Sequence, residues 1–398
     1  MTNCAVSTPS VRNVAASGPV GSWPSRYADG FAYSGAVVNR LCPPAVSRRA
    51  LVGFAAGAAG AALASARARA SAGAPLPVPA APAELLRPAR LVPGDVVGLV
   101  DPASATWEPI DIDIVEETLT ALGLVARRGV HLLDRRGSLA GSDRDRAADV
   151  MAMFTDPSVK AVLPVRGGWG CARILPHLDF DAIRRNPKVL MGYSDLTALL
   201  LAIHARTGLV TFHGPNGASD WNPTSTDFFS RVVLKAEAVM FTNPRDRGET
   251  LAQTEYRIKT ITPGVARGRL LGGNLSVLTA LLGSPYLPDF RDAILFLEDV
   301  NEAPYRIDRM LTQLSLAGVL AGARGVIWGT CHECEPDAGF GSPTIPDLLD
   351  DHVKPLGVPA WRGALVGHID RQFTLPIGAD VEIDATAGSI RMLSAAVR

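Results

Sequence analysis

One segment in the middle of the chain combines three structural signals within ten residues. Residues 188–197 read Lys-Val-Leu-Met-Gly-Tyr-Ser-Asp-Leu-Thr, an apolar run that reaches Gly192 and Ser194 and then becomes a helical pattern. Because glycine lets the backbone turn sharply, the segment predicts a strand, a tight turn at the serine and a helix. A serine placed there either acts as a nucleophile or caps the helix, and this segment alone leaves both roles open.

Strands and helices alternate on both sides of this turn, which is typical of a parallel sheet covered by helices. We predict strands at 96–100, 159–165, 209–215, 293–297 and 325–329, helices at 111–125, 143–154, 195–206 and 344–356, and a hairpin at 380–395. The sequence therefore predicts an α/β fold with two domains. A parallel-sheet N-terminal domain carries the serine turn, and a C-terminal α/β domain carries polar residues at the ends of further strands.

Composition and breakers such as Asn222-Pro223 divide the chain into segments. The predicted segments are a disordered leader with a signal peptide (1–72), a linker (73–88), the N-terminal nucleophile domain (89–215), an inter-domain linker (216–262) and the C-terminal domain (263–398).

The leader contains an export pattern. Arg48-Arg49 precedes an Ala/Gly-rich apolar run at 50–64, and small residues follow at 68–72. This order resembles a twin-arginine signal, so we expect an exported protein of the periplasm or cell envelope. The run is shorter than the ~20 residues of a membrane span, so no span is expected in the mature form. Because the signal begins near residue 47, either translation starts downstream of Met1 or the preceding segment is disordered.

The overall composition bounds the class of ligand. The chain has 398 residues, 47% hydrophobic and 20% charged, with a formal net charge of zero. This describes a packed globular protein, and no Lys/Arg block marks a nucleic-acid-binding face. We expect a small-molecule ligand and no nucleic acid.

Removal of the signal would leave three cysteines, Cys171, Cys331 and Cys334. The Cys331-His-Glu-Cys334 segment has the spacing of half a zinc site, but no second pair accompanies it. We therefore interpret it as a loop with incidental thiols and assign neither a metal nor a cofactor.

A glycine-rich turn follows the predicted strand 159–165. Residues 166–170 read Arg-Gly-Gly-Trp-Gly, where backbone amides are open to a ligand because no side chain blocks them. The turn predicts half of an oxyanion hole or, equally, a tight connection that needs positive φ. It lacks the motifs of phosphate or dinucleotide binding.

Three polar residues end predicted strands and form a possible catalytic set: Ser194, Glu298 and His368. A serine hydroxyl needs a base at neutral pH, and a histidine base needs a carboxylate to orient it. Glu298 has an alternative role as a cap for the helix after Pro304, and His368 as a buried structural histidine. His204 and His213 are rival bases, but neither follows a strand that bears an acid.

Several blocks of sequence, in this order along residues ~90–395, resemble the LD-carboxypeptidase family, which includes murein tetrapeptide carboxypeptidases and microcin C immunity peptidases. The blocks are Arg166-Gly-Gly-Trp-Gly170, Arg173-Ile-Leu-Pro176, Gly192-Tyr-Ser-Asp195, Thr211-Phe-His-Gly-Pro215, Leu297-Glu-Asp299, Asp308-Arg309, Gly367-His368 and Leu375-Pro-Ile-Gly378.

The resemblance implies a metal-free serine peptidase with the triad Ser194, Glu298 and His368. It implies an oxyanion hole made by the backbone amides of Gly168 and Asp195, a two-domain α/β fold and a homodimer. Trp169 stands where family members often carry tyrosine, a conservative change. The expected reaction is hydrolysis of the amide between the diamino acid and terminal D-Ala of a murein tetrapeptide.

Two other functions remain open at this stage. The same chemistry could act on peptidyl-nucleotide antibiotics or other small peptide amides. An exported solute-binding protein, also built from two α/β lobes, would bind a ligand without turnover; the serine, glutamate and histidine at three strand ends argue against it.

Overall fold

A computed structural model describes residues 85–336 and 341–398. The predicted leader at 1–72 and most of the predicted linker at 73–88 lie outside the described residues. Within the part of the chain that the structure describes, no helix has the length and apolarity needed to cross a bilayer.

The strands of the described residues form two sheets. They are β1 (Val96–Val100), β2 (Val125–Arg128), β3 (Val159–Pro164), β4 (Val189–Gly192), β5 (Thr211–His213), β6 (Met240–Thr242), β7 (Lys259–Thr262), β8 (Val265–Asn274), β9 (Ala293–Val300), β10 (Gly325–His332), β11 (Ala360–Arg362), β12 (Leu375–Ile377), β13 (Asp380–Asp384) and β14 (Ser389–Met392).

The helices alternate with most of these strands. They are α1 (Pro109–Ala121), α2 (Asp143–Thr155), α3 (Cys171–Ile174), α4 (Phe180–Arg185), α5 (Leu196–Thr207), α6 (Pro223–Phe229), α7 (Leu275–Ala280), α8 (Pro304–Leu316), α9 (Val319–Gly322) and α10 (Ile345–His352). Short 3₁₀ turns at Leu175–His177 and Lys354–Leu356 and a π-helical turn at Ser230–Leu234 complete the set.

The first sheet has the strand order β12-β5-β4-β3-β1-β2. Strands β1 to β5 are parallel, and β12 pairs antiparallel with β5. Parallel strands covered on both faces consist of nearly continuous apolar residues, as β1, β3 and β4 do here. The order reverses between β1 and β3, and in such sheets ligands bind at the carboxyl ends near this reversal.

The second sheet has the order β6-β14-β13-β8-β9-β10-β11-β7. Its centre, β8 to β11, is parallel, and its two edges are antiparallel. The predicted α/β fold is thus confirmed, with one sheet carrying the serine turn and a second sheet built mainly from the C-terminal part of the chain. Strands β13 and β14 form the predicted terminal hairpin.

The chain passes between the sheets more often than the sequence predicts. The segment 216–262, predicted as a linker, contains α6 and supplies β6 and β7 to the second sheet. Conversely, β12 comes from the C-terminal part of the chain but forms an edge strand of the first sheet. These strands have only three or four residues, too few for a clear alternation of polar and apolar residues.

Helix α5, which follows the serine turn, lies between the two sheets. Eleven of its twelve residues are buried, as expected of a helix that is apolar on all sides. It contacts β4 and β5 of the first sheet and β8 of the second. The serine turn is therefore at the junction of two lobes, the first built on the sheet β12-β5-β4-β3-β1-β2 and the second on the sheet β6-β14-β13-β8-β9-β10-β11-β7.

Candidate active site

Ser194 occupies a sharp backbone turn between β4 and α5. Its φ of 64° lies in the left-handed region, which non-glycine residues rarely adopt and which is common at functional sites. Gly167 packs against it, since a Cβ built there would lie 3.3 Å from Ser194 Oγ. The N-cap of α5 is Asp195, with no side-chain cap hydrogen bond. The capping role left open for this serine is therefore not observed.

Glu298 and His368 form a hydrogen-bonded pair. Glu298 is fully buried, and its Oε2 lies 2.9 Å from His368 Nδ1. The His368 side chain keeps 20% of its surface exposed, so the ring has a buried end and an accessible end. A carboxylate at Nδ1 fixes the tautomer in which Nε2 is free to accept a proton.

The elements that carry this pair differ from those predicted. Strand β9 continues to Val300, so Glu298 lies within the strand, in register with Asn274 of β8. His368 does not end a strand, because residues 363–374 form an irregular loop between β11 and β12. Gly367 has a φ of 116° and brings this loop against Glu298. A Cβ added to Gly367 would lie 2.9 Å from Glu298 Oε2, so the close approach needs a glycine.

Tyr193 connects the serine turn with the histidine. Its ring meets the His368 ring edge-on, with a centroid separation of 5.0 Å. The residue before Ser194 thus contacts the partner of Glu298, and the three predicted residues converge from two sheets. Among the described residues, no hydrogen bond joins Ser194 Oγ to His368, and such bonds are often long in unliganded enzymes.

Two backbone amides in and near the serine turn have no acceptor among the residues that the structure describes. Gly168 is exposed in the turn after β3, one residue beyond the glycine that packs on Ser194. Neither its N–H nor that of Asp195 donates to an acceptor within residues 85–336 and 341–398. Ser104 fixes the turn by accepting the Trp169 N–H at 3.2 Å. These amides could stabilise a negative oxygen on a carbonyl attacked by the serine.

The rival histidines are buried, and among the described residues neither makes a hydrogen bond with Glu298, although His213 lies near enough to feel its charge. His213 packs edge-on against Phe296 at 5.2 Å, and neither of its ring nitrogens has a partner among the described residues. His204 bonds the Leu209 carbonyl through Nδ1 at 3.0 Å. Burial lowers the pKa of each histidine to about 4. Both remain neutral near pH 7, and neither is oriented by a carboxylate.

Asp299, the second acid of the Leu297-Glu-Asp299 block, is also buried, and no separate role was predicted for it from the sequence. Asp299 accepts hydrogen bonds from Asn274 Nδ2 at 3.0 Å and from Ser276 Oγ at 2.8 Å. Burial, and then the charge of Glu298, raise its pKa to about 6. Asn274 also donates its backbone N–H to Thr197 Oγ1 at 3.0 Å, which ties α5 to β8. The Gly-Gly-Asn-Leu segment before α7 was the available signal.

Another buried acid, Asp101, follows β1 at the point where the strand order reverses. Its Oδ2 accepts from Thr106 Oγ1 at 2.6 Å, and burial raises its pKa to about 7. The same loop contains Ser104, which contacts the Gly168 turn. Asp101 therefore belongs to the framework under the turn.

The cysteines considered as a metal half-site are joined in a disulfide, Cys331–Cys334, with a Cα–Cα distance of 5.6 Å. The sequence left open whether these two cysteines are free, paired or oxidised, and the structure pairs them. A different group, His131, Asp134 and Asp145, brings one potential ligand atom from each residue within 4.8 Å of the others. It lies on the outside of the first lobe, and His131 Nδ1 is already bonded to Asp134 at 2.7 Å.

The fold and site together define a two-sheet α/β protein in which a strained serine turn faces a buried glutamate–histidine pair. The sequence model of the LD-carboxypeptidase N-terminal domain matches residues 97–214, and that of the C-terminal domain matches residues 267–383.

Individual relatives agree with these matches. A probable murein peptide carboxypeptidase of Bacillus subtilis is 39% identical over 316 residues, which cover 78% of this chain and 95% of the relative. A murein tetrapeptide carboxypeptidase of Pseudomonas aeruginosa is 33% identical over 305 residues, 71% of this chain and 91% of that protein. The solved structure of MccF in complex with glutamyl sulfamoyl guanosine has a TM-score of 0.71 at 26% identity, covering 79% of this chain and 100% of that one.

The chain belongs to the LD-carboxypeptidase family. This confirms the family inferred from the sequence blocks and supports a carboxypeptidase activity.

The burial of His213 predicts a pH dependence of stability. Its folded pKa of about 4 lies below the ordinary histidine pKa of 6.5, so between these pH values the unfolded chain binds a proton that the folded chain does not. The neutral His213 therefore makes its full contribution to the free energy of unfolding above about pH 6.5, and this contribution falls as the pH drops toward 4. In this window His213→Phe should reduce the slope of unfolding free energy against pH by about 1.4 kcal/mol per pH unit.

Urea unfolding at several pH values measures this slope. His177→Phe is the control, because it makes the same replacement at an exposed histidine. An unaltered slope in His213→Phe would contradict the assignment of a buried neutral imidazole.

Proposed function

We propose that this protein is a serine-type LD-carboxypeptidase that hydrolyses the amide between the diamino acid and the terminal D-Ala of murein tetrapeptides. The observation that carries the proposal is the Glu298–His368 hydrogen bond of 2.9 Å beside the strained Ser194 turn. The names of the Bacillus and Pseudomonas relatives supply the substrate class.

In the proposed reaction, Ser194 Oγ attacks the carbonyl carbon of the diamino acid while His368 Nε2 accepts the hydroxyl proton. Glu298 holds the Nδ1–H side of the ring and stabilises the imidazolium, and Gly168 and Asp195 donate their amides to the oxyanion. The histidine then protonates the departing amine, so the C–N bond breaks and D-Ala leaves. Water, deprotonated by the same histidine, cleaves the acyl-enzyme and regenerates the serine.

The location of the acid supports this assignment of roles. Glu298 is fully buried, and its second oxygen has no hydrogen-bond partner among the described residues. A carboxylate in such surroundings interacts strongly with a cation, because little water screens the charge. An imidazolium formed at His368 would be stabilised there.

A second candidate is the hydrolysis of peptidyl-nucleotide antibiotics or other small peptide amides. It is favoured by the likeness to MccF, whose solved structure holds glutamyl sulfamoyl guanosine. The same serine, acid and base would serve both reactions, so only the substrate distinguishes them. A non-catalytic solute-binding protein would release no product from either compound.

The purified protein incubated with murein tetrapeptide should release free D-Ala, and Ser194→Ala should lower kcat by about 10⁴ to 10⁶. The hydroxyl serves chemistry and makes no hydrogen bond within the described residues, so the melting temperature should change little. Chiral analysis of the released amino acid measures the reaction. Wild-type activity in the serine variant would refute the assigned nucleophile, and turnover of a peptidyl-nucleotide alone would favour the second candidate.

His368→Ala should lose kcat about as severely as the serine variant, and the double variant should lose little more, because both residues act in one relay. Steady-state kinetics on one peptide compares the three proteins. His352→Ala is the matched control, since this histidine is also bonded to a carboxylate, Asp308, at 2.6 Å but lies on α10. Additive losses in the double variant would contradict a common mechanism.

We also propose export through the twin-arginine-type signal at residues 47–72, which places the enzyme where murein lies. The support is the Arg48-Arg49 pair, the Ala/Gly run and the small residues after it. Protein isolated from the exported fraction of its host should lack the residues before about 73. Intact-mass spectrometry tests this, and a mature chain that still contains Arg48-Arg49 would contradict it.

A further inference from the structure

The residue after the proposed nucleophile is a buried carboxylate, and its side chain makes a specific contact. Asp195 is 6% exposed, and its Oδ2 accepts the backbone N–H of Cys171 at 2.7 Å. The Gly-x-Ser-x-Gly elbow has a glycine at the second position after the serine, where this chain has Leu196. Here an acid, Asp195, follows the strained Ser194 directly. The acid joins the serine turn to the turn after β3.

The Cys171 N–H belongs to the peptide group that joins Gly170 to Cys171, and the carbonyl of this group is also held. The carbonyl of Gly170 accepts a hydrogen bond from Arg146 Nη1 at 3.0 Å. The Arg146 side chain is fully buried, donates to the Pro102 carbonyl and pairs with Asp143. The peptide between Gly170 and Cys171 is therefore fixed at its carbonyl by Arg146 and at its N–H by Asp195.

This fixation matters because the turn has little rigidity of its own. Gly168 and Gly170 have φ values of 109° and 118°, in a region that glycine enters readily and leaves as readily. Between them, the Trp169 N–H is held by Ser104 Oγ at 3.2 Å. The orientation of the Gly168 amide thus depends on contacts from outside the turn.

The buried position of Asp195 makes its contact a strong one. Burial raises the pKa of the Asp195 carboxyl, and the hydrogen bonds from Cys171 and the charge of Arg146 oppose this shift. A carboxylate that accepts a backbone N–H in a dry site forms a short, charge-assisted bond. Loss of the side chain would leave the Cys171 N–H buried without its acceptor, at a desolvation cost.

We propose that the Asp195 side chain is a positioning residue that sets the distance and orientation between the two oxyanion-hole amides. The residue's own N–H is one donor, and its carboxylate holds the turn that carries the other donor, Gly168. One side chain thus links both halves of the hole. The inference rests on the proposed function, because it concerns the oxyanion of the same reaction.

The test compares Asp195→Asn with Asp195→Ala. Asparagine keeps an oxygen that can accept the Cys171 N–H, so kcat should remain within about tenfold of wild type. Alanine removes the acceptor of the Cys171 N–H and leaves the turn held by Ser104 and Arg146. We expect kcat to fall by about 10² to 10³, the range observed when one oxyanion-hole donor is lost. KM should change only a few-fold, because the ground-state carbonyl uses these amides little.

Active-site titration with a fluorophosphonate keeps the result interpretable if part of a variant is misfolded. The phosphonyl oxygen occupies the oxyanion position, so the rate of Ser194 labelling should fall in parallel with kcat in Asp195→Ala and recover in Asp195→Asn. Asp179→Ala is the matched control, since Asp179 also accepts one backbone N–H, that of Ala182 at 2.9 Å, at the start of α4. Its kcat per titrated serine should equal that of wild type.

Normal kcat and labelling in Asp195→Ala, with the D-Ala reaction intact, would overturn the positioning role and leave the carboxypeptidase assignment in place. Equal losses in the Asn and Ala variants would also overturn it, because the accepted hydrogen bond would then not be the cause. If wild type labels at Ser194 but releases no D-Ala, the proposed substrate fails and the labelling rates alone decide the role of Asp195.

Discussion

Two adjacent carboxylates at the end of β9 must be buried for this site to exist. Glu298 and Asp299 are 0% and 2% exposed, and removing a carboxylate from water costs several kcal/mol unless partners replace the water. Successive side chains of a strand point to opposite faces, so the two acids need separate partners. Glu298 has His368 from the loop after β11, and Asp299 has Asn274 and Ser276 from the start of α7. Two separate chain segments, the loop after β11 and the start of α7, are therefore held at this end of β9.

These partners also bring the serine into place. Asn274 donates its side chain to Asp299 and its backbone N–H to Thr197, which stands three residues after Ser194. The position of α5 relative to β9 is thus determined by hydrogen bonds among buried groups, for which water cannot substitute. The serine turn of the first sheet and the acid of the second are linked through a single asparagine.

The sequence was informative where a pattern is local and long. Strand β1, helix α2 and the strand–turn–helix around Ser194 follow the predicted ranges closely, because apolar periodicity and turn residues determine them. Strand β2, with the sequence Val-Ala-Arg-Arg, was missed because it is an edge strand whose exposed residues carry no apolar alternation. His368 was selected as the last residue of an apolar run, yet that run is a buried loop and not a strand. The contact between Asp195 and Cys171 joins residues 24 positions apart, and no local pattern encodes it.

The way β12 is connected limits how the two lobes can move. Ile377 ends a strand of the first sheet, and the next two residues, Gly378 and Ala379, already exchange backbone hydrogen bonds with Leu270 of the second, at 2.7 and 2.9 Å. An extended residue spans at most about 3.6 Å, so this connection has almost no slack. A wide hinge opening between the sheets would have to break either the pairing of β12 with β5 or the bonds to Leu270. Substrate entry and product exit must then depend on loop and side-chain movements, while the spacing between the two sheets stays nearly constant.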